Sequence, residues 1–387
     1  MTIFSNCVTV ALGAAVAVGA ALGAAIAAAI YVAVYGEYHC RTEYEAQRAA
    51  RFGDLSSLRK LSESRWWDSL SRASVCQIAA AHGHLESLRF AHERGCPWNC
   101  FTPEDAAKNG QLACLAYAHE HGCAWNSWTP AHAAWNGHLD CLRYAHEHGC
   151  PWDANTPACA AWKGHLTCLT YAHDHGCPWD EETPIRAVQH GRLECLKYAH
   201  EHGCPWNDFT TLFSAEHGHT PCLVYAHEHG CPWSTRTSCK AALNGYLACL
   251  VYAHEHGCPW DEQTPHFAAL NGHLACLRYA HEHGCPWDEQ TPYVAAHNGH
   301  LACLAYAHEH GCPWDDRTPQ GAEFTGHTDC MQYAYERGCP GARDASGGRR
   351  DSASKTIGRA YTRWKRVRDA DVRLLLAGRV SASVAGT

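Results

Sequence analysis

The stretch Tyr-Ala-His-Glu-His-Gly-Cys-Pro-Trp-Asp-Glu-Gln-Thr-Pro fills residues 252–265 and recurs unchanged at 279–292. Two histidines and a cysteine stand within five residues, beside a tryptophan, and suggest a metal site. The alternative is a structural unit copied along the chain. The spacing of the copies separates the two.

Gly-Cys occurs at 95–96, 122–123, 149–150 and onward to 338–339, a step of 27 residues each time with no gap in register. A second glycine column runs from Gly83 to Gly326 and a second cysteine column from Cys114 to Cys330 at the same step. Ten equal units without insertion describe a stack of modules. Copying also explains a composition of 25 Cys, 31 His and 15 Trp against 2 Met.

Within one unit, Thr264 suits a helix N-cap, Pro265 the first helical position and Gly272 a left-handed stop. Apolar residues at Leu274, Cys276, Leu277 and Ala280 form one buried stripe on a second helix. Gly284 ends that helix and Pro286 prevents its continuation. The expected fold class is all-α, a helical repeat solenoid.

These motifs, Thr-Pro, Ala-Ala and Gly-His-Leu-x-Cys-Leu-x-Tyr-Ala-x-Glu-x-Gly-Cys, resemble the ankyrin repeat in order and nearly in spacing. The resemblance covers roughly Thr42 to Gly341 and departs in length, 27 residues against the family's 33. Most of the shortfall falls between Trp and Thr-Pro, where ankyrins extend a β-hairpin, so a tight turn is expected there. Short Cys-Pro-Trp-Asp arrays of this kind are similar to those of giant DNA viruses. Residues 56–61 look like part of a degenerate first unit, and Thr328, Tyr335 and Gly341 depart from their columns as an end repeat would.

The resemblance implies a protein-binding scaffold rather than an enzyme, and the residues agree. Zinc needs ligands converging within about 2.3 Å of one point, whereas His281 and His283 project about 200° apart on a helix. Cys276 and Cys285 lie about half a turn out of phase. Both read as small buried hydrophobes, and no metal or cofactor is expected. Repetition itself opposes catalysis, which needs one asymmetric constellation. Trp98 through Trp314 read as packing between neighbours, and acidic residues such as Asp180-Glu181-Glu182 argue against nucleic acid on the array.

Positions that vary inside a constant frame mark candidate binding residues. They cluster on the first helix, where ankyrin-like stacks form a concave face: Trp135, Trp162, Arg186, Phe213, Leu243, Phe267, Leu270 and Tyr293. The expected partner is a protein segment. Burial of this column by tighter packing of short repeats is the competing reading.

The two ends differ from the array. Val8 to Tyr35 is uncharged for 28 residues, long enough for a bilayer-spanning helix, so residues 1–36 read as a single-pass anchor. Gly19 and Gly23 form a small-residue pair suited to self-association. Arg41, Arg48 and Arg51 follow the run and none precedes it, which places the array in the cytosol, where many free thiols persist. A cleaved signal peptide and a soluble cytoplasmic chain are the alternatives. Residues 342–387 form a basic tail with 11 basic and 4 acidic residues, leaving 20 and 35 in the rest of the chain. In the tail, Ile357, Tyr361, Trp364 and Val367 follow helical spacing among Arg363, Lys365, Arg366 and Arg368. Metal or redox buffering by the Cys and His ladders, or an adaptor role of the tail, are the competing functions.

Overall fold

A computed structural model describes residues 42–64, Trp67 and 73–340. All regular structure among these residues is helical. The anchor expected over 1–36 and the basic tail over 342–387 lie outside them. Among the described residues no helix is long and apolar enough to cross a membrane. The chain divides into two units, Met1–Ala187 and Val188–Thr387, described separately below.

Each repeat is a helix pair, as in Gln263–Leu270 followed by Leu274–Glu282. The start of the first helix corrects the sequence reading. Thr264 is not the N-cap; it lies within the first turn and is wholly buried. Asp261 organises the turn instead: its Oδ1 accepts the Gln263 N–H at 3.0 Å and its carbonyl accepts the Thr264 N–H at 3.0 Å. A short acceptor on the residue after Trp captures the chain earlier, so the helix begins one residue before Thr264. Pro265 remains harmless because first-turn N–H groups have no intrahelical partner. No strand forms between Trp260 and Thr264, in line with the expected tight turn.

Two glycines end the two helices, and both carry positive φ. Gly272, at φ +74°, also receives a neighbour: a Cβ built there would lie 2.6 Å from Nδ1 of His300. Gly284, at φ +80°, faces open space. Gly272 is thus fixed by conformation and by contact, Gly284 by conformation alone.

Packing follows from the apolar stripe. In the second unit Leu250, Ala268, Ala269, Cys276, Leu277 and Ala296 are fully buried. In the first unit Ala133, Ala134, Leu142, Ala160, Ala161 and Leu169 occupy the same columns with the same burial. First helices pack on first helices of the next repeat, as Trp128–Trp135 does on Asn155–Lys163, and second helices pack on second helices. The alanine pairs let the first helices approach closely. The degenerate opening unit also forms a helix pair, 42–52 and Leu55–Ser62, with Leu58 wholly buried.

The two glycine columns yield a paired test. Gly284→Ala is expected to cost about 1–2 kcal/mol, the penalty of a left-handed non-glycine residue. Gly272→Ala carries the same penalty plus displacement of His300, so it is expected to cost measurably more. Equilibrium urea unfolding of both variants checks the order.

Candidate functional site

The histidines, tryptophans and tyrosines meet at the joint between consecutive repeats. In the second unit His254 stacks on its own Trp260 with ring centroids 3.9 Å apart, and its Nδ1 lies 3.0 Å from the hydroxyl of Tyr279 in the following repeat. Trp260 meets the same tyrosine edge-on at 6.3 Å. His283 lies on the face of Tyr279 at 4.1 Å, and its Nδ1–H donates to the Tyr279 carbonyl at 2.9 Å. His254 and His283 thereby approach to 5.4 Å across the joint. The first unit repeats the arrangement, with His146 Nδ1 at 2.9 Å from the Tyr171 hydroxyl.

His281 and His283 do face opposite ways, toward the following and the preceding repeat respectively. Among the described residues no group of three or more His, Cys, Asp or Glu side chains could hold a metal ion. Cys276 and Cys285 are buried and free, as expected of small apolar fillers. Cys285 does more, since its thiol donates to the carbonyl of Asp261, 24 residues earlier, at 3.2 Å. Cys312 makes the same bond to Asp288 at 3.3 Å and Cys150 to Asn126 at 3.4 Å. Burial pushes the Cys276 and Cys285 thiols up to about 12, so thiolate is scarce at neutral pH and the described ladders are poorly suited to redox chemistry.

The candidate binding residues are all half-buried. In the first unit three of them come together. The Trp135 and Trp162 rings lie 4.7 Å apart, and the Arg186 guanidinium sits 4.6 Å over Trp162. Lys163, absent from the sequence reading, lies 4.8 Å over Trp135. Arg186 also pairs with Glu182 at 3.1 Å. In the second unit Phe213 is 6.0 Å from Phe209, and Phe267 meets His266 edge-on at 5.3 Å. Leu270 and Tyr293 pack against the core there, and Leu243 offers its carbonyl to Asn271 at 2.8 Å. These positions are neither free surface nor core.

No family model matches the chain, and no curated protein matches it. Among solved structures it is similar to the crystal structure of the human ASB11 ankyrin repeat domain, with 17% identity, a TM-score of 0.36, and coverage of 41% of this chain and 84% of that one.

The joint makes stability depend on pH. Burial lowers the His254 imidazole below its usual value; His283 across the joint adds to this, and Glu255 opposes it. His119, His146, His200, His227 and His281 are lowered for the same reasons in the same order. The unfolded chain therefore takes up protons first as pH falls. The contribution of these groups is fully present above the unfolded value of about 6.5 and declines as pH drops through it toward the folded values. Melting temperature is expected to fall between about pH 7 and pH 5. A flat or rising profile in a thermal scan would mean that the column gains protons on folding as readily as off it.

Proposed function

We propose that the chain is a non-enzymatic scaffold of the ankyrin-repeat type that binds a protein segment along the first-helix face of its repeats. Two features support the type: the Thr-Pro, Ala-Ala and Gly-His motifs in register, and a helix pair in each unit. The observation that carries the binding role is the Trp135 and Trp162 pair. These rings are half-exposed in a column that elsewhere holds Lys108, Gln189 and Glu216, so the frame does not require tryptophan there. Large aromatics beside Arg186 are the residue types that dominate protein interfaces. Phe213, Leu243, Phe267, Leu270 and Tyr293 extend the same reading to the second unit.

The wider organisation we propose is an anchor over 1–36, an array over 42–341 of the short type similar to giant-virus repeats, and a basic tail over 342–387. In that reading the array faces the cytosol, and Gly19 and Gly23 bring two anchors together. A soluble cytoplasmic chain is the competing reading. Protease protection of the full chain made with and without microsomal membranes distinguishes them.

The binding face is tested by screening the full chain for partners and then measuring their affinity for Trp135→Ala/Trp162→Ala. Binding is expected to weaken at least about tenfold, while loss of the ring pair costs only about 0.5–1.5 kcal/mol of stability. A stability loss of about 3–5 kcal/mol would show that the rings are core.

A further inference from the structure

In interior repeats of the second unit the outward side of the first helix is closed by the next repeat. Ala242, Ala269 and Ala296, one repeat apart, are all fully buried. The final described repeat, Arg317–Thr325 and Thr328–Glu336, puts Glu323 in that column, and it is exposed. Its neighbour Phe324 is 87% exposed, the barest of the large hydrophobic side chains among the described residues, where Leu270 and Leu243 are half-buried. Tyr335, 37% exposed, replaces the histidine of the joint. Asp329 and Glu336 add exposed negative charge to the same repeat. Its two arginines are engaged: Arg317 with Asp315 at 2.7 Å, and Arg337 5.4 Å over the Tyr333 ring.

The chain continues from this face into the segment of complementary chemistry. Residues 341–387 carry 11 basic and 4 acidic groups. Between Pro340 and Ile357 run 16 residues, which reach at most about 3.3–3.6 Å each, ample to return to the same repeat. Ile357, Tyr361 and Trp364 share one face if helical, with Arg363, Lys365 and Arg366 around them. We propose that segment 357–368 covers the outer face of the final repeat, its aromatic stripe on Phe324 and its cations toward Glu323, Asp329 and Glu336. The segment then stands where an eleventh Gly-Cys unit would pack. A terminal element of this kind closes the apolar edge of a repeat stack against association with other chains.

Hydrogen exchange read by mass spectrometry on the full chain tests the proposal. Amides of 357–368 are expected to exchange at least about tenfold more slowly than unprotected peptide, and to lose that protection in the full-length variant Glu323→Lys/Phe324→Asp. Both replaced side chains are exposed, so the repeat keeps its fold. Reciprocally, Trp364→Asp is expected to speed exchange in 317–325. Any of the following would overturn the proposal: unprotected exchange in 357–368, protection indifferent to these substitutions, or protection that rises with chain concentration and so reports a second copy. Protection that appears only with vesicles of anionic phospholipid would assign the segment to a membrane surface instead, and would equally overturn it.

Discussion

A pair of helices as short as Gln263–Leu270 and Leu274–Glu282 cannot bury its own apolar stripe, and this constraint governs the described repeats. The stripe on Leu274–Glu282 ends in Cys276, Leu277 and Ala280, all fully buried, and only neighbouring helices can cover them. The repeat is therefore stable as a member of a stack. Constant length follows, because a single inserted residue would shift one repeat's columns against the next. The left-handed glycines at both helix ends hold that length by reversing the chain in very few residues.

The same constraint explains why a chain rich in His, Cys and Trp need not be a chemical device. The reactive-looking residues named above serve hydrogen bonding and packing within and between repeats. The thiol of Cys285 reaches back to the Asp261 carbonyl, and Asp261 in turn starts the helix of its own repeat. The imidazole of His254 reaches forward to Tyr279 while lying flat on Trp260. Burial makes such thiols weak acids, which suits packing and opposes nucleophilic chemistry. On the first helices, by contrast, the half-buried Trp135 and Trp162 rings stand beside Arg186.

Much of the repeat was legible in the sequence because its determinants are local. The second helix, its stripe and its glycine stop depend on residues within one turn of each other. Cap geometry was less legible: Thr264 and Asp261 are both good caps, and only the backbone of the turn decides between them. The bond from His254 to Tyr279 was invisible, since it joins residues 25 apart on different helices and no pattern within one helix encodes it. The imidazole of His300 against Gly272 was missed for the same reason. At the candidate site, 27-residue spacing was enough to place Trp135 beside Trp162, while Lys163 went unseen because its contact crosses to the preceding repeat.

The central claim is that stability resides in specific bonds across the joint between repeats. A double-mutant cycle on His254→Ala and Tyr279→Phe, read by urea unfolding of the full chain, measures one such bond directly. The phenylalanine keeps the ring stack with His283 and removes only the hydroxyl. A coupling energy of about 0.5–1.5 kcal/mol is expected, the net worth of a hydrogen bond between partly buried groups. Additive losses, with coupling near zero, would contradict the claim and leave the joint as shape complementarity alone.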